Sequence, residues 1–114
     1  MSDAFELYDL AIEVVHHDPA KRLVCQHILG DVFYVKGSVI EIPAGKTFGL
    51  YAMLAVLPFV PAKQRPTAEN DWMSTDAVVG CTDPNCGAGF KMTRLDSKTY
   101  AHGDHSAEAL NKSA

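Results

Sequence analysis

The chain has 114 residues, a formal net charge of −4 and a pI near 5.6, with 47% hydrophobic and 21% charged residues. This length has room for one domain with one core, and the composition is that of a soluble globular protein. The acidic balance argues against nucleic acid as a partner, because phosphate binding needs a basic surface.

The N-terminal residues lack the basic flank and apolar core of a secretory signal. The longest uncharged run, Thr47 to Ala62, is shorter than the ~20 apolar residues of a membrane span, and Pro58 and Pro61 interrupt it. Three cysteines without a signal favour reduced thiols over a disulfide framework. The sequence therefore predicts a cytoplasmic protein with no membrane partner.

The first patterned segment is a run of alternating apolar and polar residues from Leu7 to Val15. This period of two predicts a half-buried strand, which ends at the turn His16-His17-Asp18-Pro19. The following segment, Lys21 to Leu29, is either a short strand or an irregular entry. In a strand, Cys25 and His27 would lie on the same face, because side chains two apart point the same way.

The middle of the chain predicts a β-hairpin followed by a helix. Val32 to Val35 is β-branched and aromatic, and Val39 to Ile42 is its expected hairpin partner. The run from Thr47 to Leu57 is the best helix candidate, with Thr47 as N-cap and Pro58 as the stop. It is apolar on nearly all sides, which predicts burial on most faces or contact with a partner.

The second half of the chain begins with a polar connection from Pro61 to Ser74, in which Trp72 is expected to anchor the loop to the core. Residues 76–81 and 89–95 are predicted to form the last two strands, joined by a turn through Thr82-Asp83-Pro84-Asn85. From Asp96 onward the composition becomes polar, as in a tail with little capacity to form a core.

These elements predict an α+β fold, in which a small, mostly antiparallel sheet of four or five strands packs on one apolar helix. Residues 1–96 would form the single domain and residues 97–114 a polar C-terminal tail. One helix cannot cover both faces of such a sheet, so an exposed apolar face is expected to favour oligomerisation.

Three landmarks carry a resemblance to a known family: Cys25-x-His27-x-x-Gly30-Asp31, an apolar helix ending in Leu57-Pro58, and Cys81-x-Asp83-Pro84 before a closing strand. The arrangement resembles a family of small uncharacterised prokaryotic proteins, found singly or as tandem repeats. That family has a cysteine, a Gly-His pair and Gly-Asp before a strand, then Cys-Pro at a helix start and a Cys-Pro-Asp-Pro turn. The resemblance covers roughly Leu7 to Leu95 and implies architecture and a site, with no assigned activity.

The chain departs from that pattern at three places. Ile42-Pro43 stands where the family has Cys-Pro, so one thiol is absent, and Thr82 replaces the first proline of the last turn. The first cysteine is also closer to His27 than in the family. Cys86 is an addition, and if the family's cysteines gather at one place, the resemblance implies that Cys86 substitutes for the lost thiol.

The candidate metal ligands are Cys25, His27, Cys81 and Cys86. Thiolates and imidazole in a tetrahedral set suit zinc, with iron as the second choice. Two alternatives remain open. Cys25 and Cys81 could be small buried core residues, as free cysteines usually are, or thiols that take part in chemistry.

Other polar residues have simpler interpretations. His16, His17, His102 and His105 are a second source of imidazole, but such residues are usually solvated. Asp31 and Asp83 follow the two cysteine segments, and their expected role is to bond the backbone of a turn.

Two function hypotheses follow from these residues. The first is a small cytoplasmic binding or accessory module with a structural Cys/His metal site, acting as a homo-oligomer or as a subunit of a larger enzyme. The second is a small enzyme that acts on a small metabolite through Cys81, His27 and Asp83, in which the imidazole activates the thiol.

Overall fold

A computed structural model describes residues 3–111 of the chain. The strands are β1 (Ala4–His16), β2 (Val32–Lys36), β3 (Val39–Glu41), β4 (Val78–Gly80) and β5 (Ala88–Ala101). They form an antiparallel sheet in the order β3-β2-β1-β5-β4. Helix α1 (Leu50–Val56) continues through a 3₁₀ turn (Leu57–Phe59) into α2 (Val60–Gln64), and further 3₁₀ turns lie at Trp72–Ser74 and His102–Asp104. The predicted α+β fold is confirmed.

The core lies between one face of the sheet and this helical stretch. In β1 the alternating residues Leu10, Ile12 and Val14 are buried, and Ile12 is flanked across the sheet by Phe33 and Met92. The helical stretch covers them with its own buried residues, which are Ala52, Val56 and Val60. Complete burial of one such side chain contributes about 1.5–3 kcal/mol, so the period of two in β1 defines which face is internal.

The predicted start and end of the helix are wrong. The N-cap is Gly49 rather than Thr47, and no side chain caps the helix. Pro58 does not stop the stretch, because it lies in the first turn of the 3₁₀ segment, and Pro61 lies likewise in the first turn of α2. Proline is tolerated there, since the first N–H groups of a helical segment have no partner within that segment. The two prolines divide the stretch without ending it.

The longest element is the ribbon that β1 forms with β5. Its pairs run from Ala4 opposite Ala101 to His16 opposite Ala88, with an irregularity between Tyr8 and Leu10. The predicted domain boundary at residue 96 falls inside β5, so residues 97–101 belong to the sheet. Their composition is polar, but strand pairing uses backbone groups that every residue except proline carries. The end of the predicted tail, residues 112–114, lies outside the described residues.

No helix within residues 3–111 combines the length and the apolar character that crossing a membrane requires. The prediction that Trp72 anchors its loop to the core is wrong: Trp72 is 47% exposed, and the neighbouring Met73 is the buried residue. Trp72 instead contacts the ring of Phe59 edge-on at a centroid distance of 5.9 Å. This contact holds the 3₁₀ turn at Trp72–Ser74 beside the helical stretch.

Candidate metal centre

Three of the four predicted metal ligands come together at one end of the sheet. Cys25 and His27 lie in the irregular segment between β1 and β2, and Cys81 follows β4 directly. The ligand atoms of these three side chains all lie within 4.8 Å of one another. A group of two sulfur atoms and one imidazole nitrogen within this distance could hold a metal ion.

The distance between His27 and Cys81 fits tetrahedral coordination. His27 Nε2 lies 3.3 Å from Cys81 Sγ. Two ligands of one tetrahedral zinc lie about 3.5 Å apart, given bonds of about 2.3 Å to sulfur and 2.0–2.1 Å to nitrogen. The pair therefore needs a shift of only a few tenths of an ångström to share a metal ion.

Cys25 and His27 reach Cys81 through a tight turn. The backbone N–H of His27 donates to the Val24 carbonyl at 3.2 Å, and both central residues, Cys25 and Gln26, have φ of +59°. Two successive positive φ angles are typical of a type I′ turn, in which glycine or asparagine usually occupies these positions. The segment is thus irregular, and the pairing of Cys25 with His27 does not come from one face of a strand.

His27 is held in a nearly closed pocket. His27 is only 9% exposed, and its ring meets the Phe90 ring edge-on at 5.1 Å between centroids. On the other side lies Gly49, where a Cβ would come within 3.1 Å of His27 Nδ1. Burial lowers the pKa of the His27 imidazole, which favours the neutral form that ligates metals.

The Cys81 thiol holds its proton more tightly than an ordinary thiol does. Burial raises its pKa, the backbone N–H of Asp83 opposes this, and the neighbouring thiols of Cys86 and Cys25 add to the increase. Asp83 N lies 3.5 Å from Cys81 Sγ. The neighbouring sulfur atoms disfavour negative charge on Cys81, and a metal ion held by Cys25, His27 and Cys81 would supply the compensating positive charge.

Cys86 lies beside this group rather than within it. Its sulfur accepts backbone N–H groups from Val24 at 3.3 Å and from Ala88 at 3.4 Å. N–H groups directed at sulfur stabilise and orient a thiolate ligand. Cys86 is close enough to Cys81 to raise the pKa of the Cys81 thiol. Its sulfur does not belong to the group of three ligand atoms, so its role as the fourth ligand stays a prediction.

Gly87 brings the two cysteine segments into contact. Its backbone N–H donates to the Arg22 carbonyl at 2.9 Å, and its carbonyl accepts the N–H of His17 at 2.8 Å. A Cβ on Gly87 would lie 2.1 Å from the Lys21 carbonyl oxygen, a distance that no side chain can occupy. The turn between β4 and β5 can therefore approach the segment after β1 only because this residue is glycine.

Sequence reasoning missed Gly49, Gly87 and Phe90 as parts of the site. The glycines after Cys86 were a signal, since a glycine within a strand pattern often marks a close backbone approach. Among the described residues, no other histidine belongs to a group that could hold a metal. His16 Nε2 instead contacts the Lys21 carbonyl, and His102 Nε2 that of Glu108.

The carboxylate of Asp83 has the turn role that its position predicted. Asp83 Oδ1 accepts the backbone N–H of Asn85 at 2.9 Å. The Nδ1 atom of His27 has no hydrogen-bond partner among the described residues. Within that part of the chain, no carboxylate orients the imidazole against Cys81.

Comparisons of the chain with protein families, with curated proteins and with solved structures found no match. The family resemblance therefore stays a prediction.

Proposed function

We propose that this protein is a small binding or accessory module with a structural zinc ion bound by Cys25, His27, Cys81 and Cys86. The single observation that carries the proposal is the convergence of Cys25, His27 and Cys81, whose ligand atoms lie within 4.8 Å of one another. Cys81 is more than fifty residues from Cys25 and His27 in the sequence, so only the fold brings the three side chains together.

The chemistry of the ligands favours zinc over other metals. Thiolate sulfur and imidazole nitrogen are the usual ligands of zinc, with iron as the second choice, whereas calcium and magnesium take oxygen. Cys86 completes a set of four when its side chain turns from the backbone groups that now hold it. Four protein ligands make a closed, structural site, because a catalytic zinc keeps one position open for water or substrate.

The ion would stabilise the least regular part of the fold. The segment between β1 and β2 contributes few large buried side chains, and the turn between β4 and β5 is joined to it mainly through Gly87 and Cys86. A metal bound to both segments would hold them at the end of the sheet. Its binding free energy would add directly to the stability of the folded state.

A second candidate function is a small enzyme that uses Cys81 as nucleophile and His27 as base. The contact of 3.3 Å between His27 Nε2 and Cys81 Sγ favours it, since this pair is the core of such a site. Two observations favour the metal instead. Asp83 bonds Asn85 rather than His27, and burial raises the pKa of Cys81, whereas a nucleophilic thiol has a lowered pKa.

The accessory role rests on the surface of the helical stretch. Leu50, Tyr51 and Leu54 are largely exposed on α1, and no charged residue occurs between Thr47 and Ala62. Such a surface is more typical of a protein contact than of a solvated helix. The protein would act in the cytoplasm as a homo-oligomer or as a subunit of a larger enzyme.

Metal analysis of the purified protein tests the zinc site. We expect one zinc per chain, and loss of the metal from Cys81→Ser, while His105→Asn, which alters an imidazole outside the group, keeps full stoichiometry. Absence of stoichiometric zinc or iron from the native protein would refute the proposal. A Cys81→Ser protein that folds normally without metal but loses turnover of a substrate would favour the enzyme.

The mass of the protein in solution tests the accessory role separately. We expect a dimer or larger assembly, or a partner that co-purifies at a fixed ratio. A monomer without any co-purifying protein would contradict this part of the proposal.

A further inference from the structure

A cavity of about 350 Å³ lies at the opposite end of the sheet from the cysteines. Its apolar floor comes from β1, β2 and the helical stretch, through residues that include Leu7, Val35, Leu57 and Val60. Leu7 is nine residues from His16 at the other end of β1, a separation of about 30 Å in a strand. The cavity is therefore independent of the candidate metal centre.

The walls of this cavity are held in place by specific contacts. Gln64 is 6% exposed, and its side-chain Nε2 donates to the Gly37 carbonyl at 2.7 Å, which ties α2 to the turn between β2 and β3. On the other side, the His105 ring meets Phe5 edge-on at 5.3 Å and Tyr100 at 5.0 Å. A pocket with fixed walls loses little entropy when a ligand binds.

The polar groups around the cavity favour a negatively charged ligand. The chain as a whole has 14 acidic and 10 basic residues, yet the described residues that line the cavity include Arg65 and His105 and no carboxylate. The Arg65 guanidinium makes one hydrogen bond within the described chain, from Nη1 to the Pro61 carbonyl at 2.8 Å, and no ion pair there. The rest of its guanidinium can therefore pair with a carboxylate, whose planar geometry it matches.

We propose that this cavity binds a small monocarboxylate with an apolar body. The carboxylate pairs with Arg65 at the rim, and the apolar body lies against Leu7, Val35 and Val60. The volume is at the lower end of the ~300–1,000 Å³ range of ligand pockets, so the acid is small. Straight-chain and aromatic acids share this chemistry, and the two are compared directly in the experiment.

Calorimetric titration with n-octanoate, 3-phenylpropionate and the neutral octanamide tests the proposal. We expect saturable 1:1 binding of at least one acid, and binding of octanamide at least about tenfold weaker than that of octanoate, because a charge-assisted pair is lost. Tighter binding of octanoate would identify a straight-chain ligand, and tighter binding of 3-phenylpropionate an aromatic one.

Three variants locate the binding site. Arg65→Gln is expected to weaken the preferred acid about tenfold and to leave octanamide unchanged, since only the charge pair is removed. Leu57→Trp fills the cavity and weakens both ligands. The matched control is Lys46→Gln, which removes an exposed positive charge that does not line this cavity and is expected to change neither affinity.

An NMR titration of the native protein locates the site without any variant. We expect the largest amide shift changes in the β2–β3 turn and in α2. The proposal is overturned if neither acid saturates the protein, or if octanamide binds as tightly as octanoate. It is equally overturned if Arg65→Gln and Lys46→Gln bind the preferred acid with the same affinity, or if the largest amide shift changes lie in another part of the protein.

Discussion

Replacing Gly87 by alanine should uncouple the two cysteine segments and weaken metal binding. A Cβ at this position would lie 2.1 Å from the Lys21 carbonyl oxygen and 2.7 Å from that of Asp18, whereas ordinary contacts begin at 3.4 Å. Both obstacles are backbone atoms, which cannot rotate away. The turn between β4 and β5 must therefore move by roughly 1 Å, because steric repulsion rises steeply at such distances.

The size of the effect follows from this displacement. Metal–ligand distances tolerate deviations of only about 0.2 Å, so a shift of roughly 1 Å separates Cys81 from Cys25 and His27 and should lower zinc affinity by about 100-fold or more. Overpacking costs about 1–3 kcal/mol, and each of the three backbone hydrogen bonds of Gly87, with Arg22, His17 and Asp18, adds about 1 kcal/mol if it breaks. We therefore expect a loss of about 2–4 kcal/mol in the free energy of unfolding.

The matched control is Gly80→Ala, at the end of β4. A Cβ there meets nothing within 4 Å, and alanine is about 0.5–1 kcal/mol more favourable than glycine inside a regular element. Zinc affinity is measured by competition with a chromophoric chelator, and stability by urea unfolding with and without zinc. If Gly87→Ala binds zinc as tightly as Gly80→Ala and unfolds at the same urea concentration, the close approach at Gly87 does not organise the site.

Three further variants give predictions for other parts of the fold. Gly49→Ala places a Cβ 3.1 Å from His27 Nδ1 and should weaken zinc about tenfold in the same competition assay; unchanged affinity would show that the ring has room to move. Lys63→Met leaves two carbonyls of residues 72–75 without their donor and should cost about 2–4 kcal/mol in urea unfolding; a cost below about 1 kcal/mol would contradict this. Burial lowers the pKa of Lys63 in the folded protein. Between that lowered pKa and the ordinary value of 10.5, the unfolded chain therefore binds more protons than the folded protein does. Native stability should therefore gain, relative to Lys63→Met, between neutral pH and that value; a constant difference would refute the shift. Leu54→Glu should reduce the mass in solution if α1 forms the contact between copies, and an unchanged oligomer would place that contact elsewhere.

The strands were predictable because their signals are local. The alternation around Leu10 and Ile12 in β1 marks the internal face, and the Lys36-Gly37-Ser38 turn marks the hairpin. The helix limits were not predictable from the same rules, since Pro58 stops a helix in its interior but not at the start of a new segment. Residues 97–101 were missed because their strand depends on pairing with the start of β1, which leaves no apolar pattern.

The site was predictable only in part. The metal hypothesis required Cys81 to lie near Cys25 and His27, and the structure brings these three together, whereas spacing alone gave no reason to join segments more than fifty residues apart. The contact at Gly87 and the orientation of His27 between Phe90 and Gly49 depend on tertiary packing. No periodic pattern reports such contacts, because they involve single residues from separate elements.

The turn at Cys25 and Gln26 shows why local rules fail at this place. A left-handed conformation costs a residue other than glycine roughly 1–2 kcal/mol, and here two adjacent residues adopt it without glycine or asparagine. A turn selected for local stability would have Asn-Gly at these positions. Cysteine at the first position makes sense if its thiol is needed, since the metal bound by Cys25 and His27 then offsets the strain of the turn. The least favourable backbone among the described residues other than glycine thus coincides with the candidate metal centre, as expected where the requirements of a site override local preference.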